Sequence, residues 1–273
     1  MNGRLGRVCD KVALVTGAAR GQGRAHALRL AEEGADLVLL DVCAAVTELG
    51  YPSATTGELD ETVRLAERAG ARVVAGRADV RSLEDVSAVV ADGVRAFGRL
   101  DVVVANAGIS AWGRLWEITA EQWRAVLDTN LTGVWHTLKA TIPVMIDAGN
   151  GGSIVTISSV AGLKSLPAQA HYSAAKHGVV GLTRTAALEL APYGIRANSV
   201  HPWAVETAMA HDEVLVGVLR AHPDYLASFG QVLGEPKVAA PRDIADAVLW
   251  LASDESRTVT GIALPVDLGA TSV

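Results

Sequence analysis

The sequence predicts an α/β fold: a mainly parallel, seven-stranded sheet flanked by helices on both faces, in one domain spanning residues 1–273. Two observations predict it. Short β-branched runs alternate with longer helical patterns along the whole chain, as stacked βαβ units require. Half of the 273 residues are hydrophobic and only 20% are charged, enough apolar material for one large core. No linker, internal repeat or low-complexity tract divides the chain.

The elements follow in order. Strands are expected at Val12 to Thr16, Leu37 to Asp41, Arg72 to Ala75, Val102 to Ala105, Ser153 to Ile157, Arg196 to Val200 and Ala263 to Val266. Helices are expected over GQGRAHALRLAEEG, ELDETVRLAERAG, SLEDVSAVVADGVRAFG, TAEQWRAVLDTN with its continuation, SAAKHGVVGLTRTAALELA and PRDIADAVLWLAS. Ser82, with Asp85 three residues on, is suited to start a helix that Gly98 is suited to end, and Gly70 to end the helix before it. One connection is too long. After Asp41 the chain takes about 15 residues to reach its next helix, where such loops usually need ~2–6, so residues 42–57 are expected to form an inserted binding loop.

Charge and cysteine content narrow the function classes. With 24 Lys+Arg against 30 Asp+Glu the formal net charge is −6, and no basic run offers a patch to nucleic acid or anionic lipid. The two cysteines, Cys9 and Cys43, form neither a Cys-x-x-Cys pair nor a metal-ligand spacing. No metal is expected, and a reducing compartment is. Apolar stretches fall far short of the ~20 residues of a membrane helix, and the N-terminus lacks a signal peptide's apolar middle. The expected location is the cytoplasm, with no membrane partner.

The first strand runs into Gly17-Ala18-Ala19-Arg20-Gly21-Gln22-Gly23 and then a helix. Glycines at 17, 21 and 23 allow a tight turn and close approach to a pyrophosphate, and the helix N-terminus offers free N–H groups and a positive dipole. Asp41 closes the second strand 18 residues past Gly23, where a carboxylate suits the adenosine ribose hydroxyls. Asp41 repels a 2′-phosphate and favours NAD, while Arg20 beside the second glycine is suited to pairing with one. The weight falls on Asp41 and NAD. This makes the single domain a Rossmann-type doubly wound one, with its dinucleotide turn near the start of the chain.

Further along, Tyr172 and Lys176 stand at i and i+4 on one helix face. A cation close to a phenol favours the phenolate and moves a group of pKa ~10 toward general-base duty. Lys176 is also suited to bonding the nicotinamide ribose. Ser159 follows the strand GGSIVTIS at the carboxyl end of the sheet, where open α/β sheets bind ligands. Its hydroxyl can orient and polarise a substrate oxygen.

These residues resemble the short-chain dehydrogenase/reductase family, and the matches run in the family's order from residue 11 to about 267. The resemblance implies an adenine contact at Asp79-Val80, the Asn106-Ala107-Gly108 motif, and a catalytic set of Ser159, Tyr172 and Lys176 with Asn130 as fourth member. Asn130 would hold, through its carbonyl, a water that extends the proton relay; the lesser alternative is a side chain that satisfies helix backbone. Ser159 is selected over Ser158 because it lies 13 residues before Tyr172; Ser158 is the fallback. The implied reaction is hydride transfer between a carbinol carbon and nicotinamide.

After the sixth strand the family commonly reads Pro-Gly and then a Thr that holds the carboxamide. Here the segment is His201-Pro202-Trp203-Ala204-Val205-Glu206-Thr207. Val205 and Thr207 keep the expected cofactor-binding place, and Trp203 replaces the glycine. Trp203 and Trp112 are candidate pocket walls for an apolar substrate, under a lid at about 203–230. Wording such as RGQGRAHALRLAEEGADLVLLDVC looks like the carveol-dehydrogenase-like, or mycofactocin-coupled, subfamily. That resemblance implies a hydrophobic secondary alcohol or ketone, terpenoid and cyclic ones among the candidates. It also implies a loop at 42–57 that retains NAD, and an external redox carrier of mycofactocin type.

Family resemblance further implies a homotetramer, with helices at about 119–147 and 171–190 pairing between subunits. His26, His136, His171 and His177 have no carboxylate at ligand-like spacing and are expected to be structural. The alternative function is an NAD-sensing binding protein without catalysis, against which the intact Ser159, Tyr172 and Lys176 set argues. A nucleotide-sugar epimerase or dehydratase ranks lower, since about 70 residues follow Val200.

Overall fold

The computed structural model describes residues 6–46 and 50–273; Thr47, Glu48 and Leu49, inside the anticipated insertion, lie outside the described residues. Seven strands form one sheet: β1 (Val12–Thr16), β2 (Asp36–Asp41), β3 (Val73–Arg77), β4 (Val102–Ala105), β5 (Gly152–Ile157), β6 (Ile195–Pro202) and β7 (Ala263–Val266). They lie in the order β3-β2-β1-β4-β5-β6-β7, and every pairing is parallel.

Among the described residues eight α-helices connect them: α1 (Gly21–Glu32), α2 (Thr56–Arg68), α3 (Leu83–Phe97), α4 (Ala120–Leu127), α5 (Gly133–Ala148), α6 (Ala170–Leu190), α7 (Glu213–Ala221) and α8 (Pro241–Ala252). Side chains alternate between the two faces of the sheet. Ala13, Val15, Leu37 and Leu39 point to one core with Leu30 of α1 and Ile244 and Leu249 of α8. Leu14, Val38, Leu40 and Ile154 point to the other, with Val86 of α3, Leu138 of α5 and Val179 of α6. Strands buried on both faces read as near-continuous apolar runs.

Helix ends follow local chemistry. The Ser82 hydroxyl accepts from Asp85 N–H at 3.1 Å, and Gly98 closes α3 in the left-handed region at φ 77°. Thr55 and Glu58 form a reciprocal capping box that starts α2 two residues before the expected Glu58. The third strand begins at Val73 rather than Arg72 and runs on to Arg77, because it pairs with β2 as far as Asp41. The helix expected from residue 119 is interrupted by a π-helical turn at Asp128–Thr132 that carries Asn130; such turns recur at functional sites.

Candidate active site

Strand order reverses between β1 and β4, and a cleft opens there beyond the strand carboxyl ends, where open parallel sheets bind ligands. Gly17 leaves β1 at φ +67°, and a Cβ on it would come within 2.9 Å of the Ala107 Cα. A Cβ on Gly23 would collide with the Gly17 carbonyl. No side chain caps α1, and the buried Gln22 Oε1 has no hydrogen-bond partner among the described residues. Bare backbone and a helix N-terminus fit the phosphates of a dinucleotide, and the open Gln22 acceptor suits a hydroxyl or N–H donor of the same ligand.

The other expected binding residues divide into those that face the cleft and those that shape it. Gly17, Arg20, Gly21, Gln22, Gly23, Asp41, Asp79, Val80, Asn106, Ala107, Gly108 and Thr207 all line it. The Asp41 carboxylate accepts from Ala19 N–H at 3.0 Å and Cys43 N–H at 3.1 Å. Arg20 is committed elsewhere: its guanidinium donates to the Pro52 carbonyl and lies 3.8 Å from Glu58. Burial works to raise the Asp79 pKa, but hydrogen bonds from Arg81 outweigh it and hold the carboxyl below its usual range. Asn106 spends its side-chain amide on the Thr16 carbonyl at 2.9 Å, so it braces the glycine loop. The Val205 side chain is 5% exposed and packs in the core, its neighbourhood held by a bridge to Ala239.

Ser159, Tyr172 and Lys176 converge at one side of this cleft. Lys176 Nζ donates to the Ile157 carbonyl at 2.8 Å and lies 5.5 Å from the Tyr172 ring centroid. A Cβ on the cleft-lining Gly108 would come within 3.6 Å of the same nitrogen. Ser159 Oγ accepts from Ala161 N–H at 3.1 Å. Ser158 is turned away, donating to the Lys176 carbonyl at 3.0 Å. Both nitrogen and oxygen of the Asn130 side chain clamp the Ile109 backbone, at 2.7 and 2.8 Å.

Burial pushes the Tyr172 phenol up to about 12, with the Ser159 hydroxyl pulling the other way, and it lowers the Lys176 ammonium to about 8.

Two segments close over the cleft. Val46, Tyr51, Ser53 and Ala54 of the insertion line it, reaching past Asp41 to the far end. There the Tyr51 hydroxyl accepts from Ser110 N–H at 3.1 Å, and a Cβ on Gly50 would strike the buried carboxyl of Asp212. Opposite lies the segment from Trp203 through α7. The Phe229 ring packs 6.2 Å from Trp112 and 5.9 Å from Trp203, and Trp203 and Phe229 share an apolar cluster with Tyr172. Trp203 thus packs in the same cluster as the Tyr172 ring, and Trp112 joins it through Phe229. Tyr51, Asp212 and Phe229 were not singled out from sequence; only the length of the 42–57 segment pointed toward Tyr51.

Among the described residues no group of three or more His, Cys, Asp or Glu could hold a metal ion. Nor is any helix among them long and apolar enough to cross a membrane.

Comparison with known proteins agrees with this geometry. A family model described as "Enoyl-(Acyl carrier protein) reductase" matches residues 17–271. The chain is 53% identical over 272 residues to an uncharacterized NAD-dependent oxidoreductase of Mycobacterium tuberculosis, covering 99% of both. It is 46% identical to a (-)-trans-carveol dehydrogenase of Rhodococcus erythropolis, covering 98% of this chain and 99% of that one. The crystal structure of carveol dehydrogenase from Mycobacterium avium in complex with NAD superposes with a TM-score of 0.94 at 45% identity, over 98% of this chain and 100% of that one. With a doubly wound sheet, a glycine cradle at its switch point and this similarity over nearly its whole length, the chain belongs to the short-chain dehydrogenase/reductase family.

Proposed function

We propose that the protein is an NAD-dependent oxidoreductase that interconverts a hydrophobic secondary alcohol and its ketone, terpenoid or other cyclic alcohols being the leading class. The observation that carries this reading is the convergence of Ser159, Tyr172 and Lys176 beside a glycine cradle. NAD fits that cradle, Asp41 standing ready for the ribose hydroxyls and Arg20 being spent on Pro52 and Glu58. When bound, NAD accepts or returns a hydride at the nicotinamide ring.

The protein's own part is positioning and proton management. Ser159 turns its hydroxyl proton toward the substrate oxygen, its lone pair being held by Ala161 N–H. Tyr172 takes the hydroxyl proton at its Oη in oxidation and gives it back in reduction. Lys176 stabilises the phenolate, and a positively charged nicotinamide would add to that field. Asn130 holds the loop after β4 in place, and its carbonyl is the candidate seat of a relay water. Trp112 and Trp203 form, with Phe229, an aromatic wall suited to an apolar ring.

We further propose that the 42–57 segment retains bound NAD and that an external redox carrier of mycofactocin type reoxidises it in place. Hydrogen bonds from Arg20 and Ser110 to the segment, with Gly50 lying close against Asp212, support this. Residues 203–230 act as the substrate lid, and the 1–273 chain works as one domain. A homotetramer accounts for Trp123 on α4, Trp135 on α5 and Leu188 on α6, which stand 42%, 43% and 80% exposed. A cytoplasmic setting agrees with Cys43 being a buried thiol outside any disulfide.

Native mass spectrometry of freshly purified protein, followed by assay with cyclic alcohols with and without an artificial electron acceptor, tests the reading. Retained NAD and turnover that requires the acceptor are expected. Protein that binds neither NAD nor NADH contradicts it.

A further inference from the structure

Residues 157–159, which lead β5 into the catalytic serine, are held by α6 and β6 in turn. The Ile157 carbonyl is held by Lys176 of α6, and Ser158 N–H donates to the Val200 carbonyl of β6 at 2.8 Å. There the backbone ladder between β5 and β6 ends, with Ile157 opposite Val200. The next residue of β6 is His201, whose ring is fully buried. Its Nδ1 lies 2.7 Å from the Ser159 carbonyl oxygen, and its Nε2 lies 2.9 Å from Ser199 Oγ.

The partners fix the proton. A carbonyl oxygen only accepts, so Nδ1 carries the hydrogen, and Nε2 of a neutral ring must then accept from the Ser199 hydroxyl. The Ser159 carbonyl receives a second donor, Gly162 N–H at 2.9 Å. Two donors on one carbonyl set the peptide plane after Ser159, and that plane fixes the Cα–Cβ direction from which the hydroxyl reaches Tyr172.

Resting on the oxidoreductase reading above, we propose that His201 is a positioning residue for the reaction. Its Nδ1–H continues the β5–β6 ladder by one side-chain bond and thereby aims the Ser159 hydroxyl. The same strand end carries Trp203 two residues on, so one rigid segment sets both the serine and part of the aromatic wall. Burial supports the neutral ring, lowering the imidazole pKa to about 4, so the donor persists across the working pH range.

The variants follow from ring geometry. His201→Asn keeps a donor near the Nδ1 position, and His201→Leu removes it. With cyclohexanol and NAD as probes, His201→Leu is expected to lose about tenfold or more in kcat, the scale of one well-placed hydrogen bond. KM and the NAD dissociation constant, read by NADH fluorescence, should stay within about threefold. His201→Asn should recover most of the lost kcat. In a Ser159→Ala background, His201→Leu should add little further loss.

Equal losses in the Asn and Leu variants, an undiminished loss without the Ser159 hydroxyl, or a parallel fall in NAD affinity would each overturn the proposal. Nitrogen NMR of histidine-labelled protein reads the tautomer without turnover: a neutral, Nδ1-protonated His201 is expected from about pH 6 to about pH 8, and an Nε2-protonated ring overturns the idea. If the wild type oxidises no cyclic alcohol, the functional reading has failed, and the tautomer with crystal structures of both variants still decides whether His201 aims Ser159.

Discussion

The hydroxyl of Tyr51, in the insertion after β2, accepts a hydrogen bond from the backbone N–H of Ser110, just beyond β4, at 3.1 Å. The bond spans the cleft at the switch point of the sheet. Burial pushes the Tyr51 phenol up to about 12, with the Ser110 N–H pulling the other way, so the bridge stays neutral and intact over the working pH range. A second pin lies toward the other end, where Arg20 holds the Pro52 carbonyl.

Release of NADH should therefore depend on these pins. Removing both, as Tyr51→Ala with Arg20→Ala, is expected to raise the dissociation rate of NADH about tenfold or more, since each lost bond costs roughly 1 kcal/mol. Stopped-flow displacement measures it. An unchanged rate would mean that the insertion does not govern exchange.

Cofactor discrimination rests on Asp41. Asp41→Ala should weaken NAD and narrow the preference for NAD over NADP by about tenfold, because the repulsion toward a 2′-phosphate disappears. The ratio of kcat/KM for the two cofactors is the readout, since it is insensitive to the two N–H groups that Asp41 leaves unpaired. A wild type that prefers NADP would contradict the ribose argument.

Acid should destabilise the fold in a window set by buried imidazoles. Burial lowers His26 to about 3 and His171 and His201 to about 4, whereas the unfolded chain binds these protons near ~6.5. Between those values the unfolded state holds more protons, so stability is lost as pH falls. Tm at about pH 5 is expected to lie about 5 °C or more below Tm at about pH 7. His171→Gln should reduce that drop by about a third; a flat Tm over this range would show that the buried rings are not what titrates.

Local patterns made much of this molecule legible. Val12–Thr16, Val102–Ala105 and Ala263–Val266 are apolar runs with sharp edges, and they fall where the pattern puts them. Ser82 and Gly98 bound α3 as their chemistry requires. Tyr172 and Lys176 could be paired because a helix fixes the i, i+4 spacing. Other features depend on contacts between distant segments and carry no local signature. α6 begins at Ala170, before the expected Ser173, with no side chain capping it. Tyr51 meets Ser110 and His201 meets Ser159 only once the sheet has assembled. The raised phenol of Tyr172 likewise reflects how much protein surrounds it, which a spacing argument does not weigh.

The central claim is that Tyr172 moves the proton in an NAD-linked oxidation, and one comparison tests it most directly. Wild type and Tyr172→Phe are each mixed with NAD and a cyclic secondary alcohol, with formation of reduced nicotinamide followed by absorbance in a single turnover and NAD binding followed in parallel. The account predicts that the wild type reduces bound nicotinamide, while the variant binds NAD within about threefold of wild type and loses about a thousandfold in rate. A variant that reduces nicotinamide as fast as the wild type would contradict it.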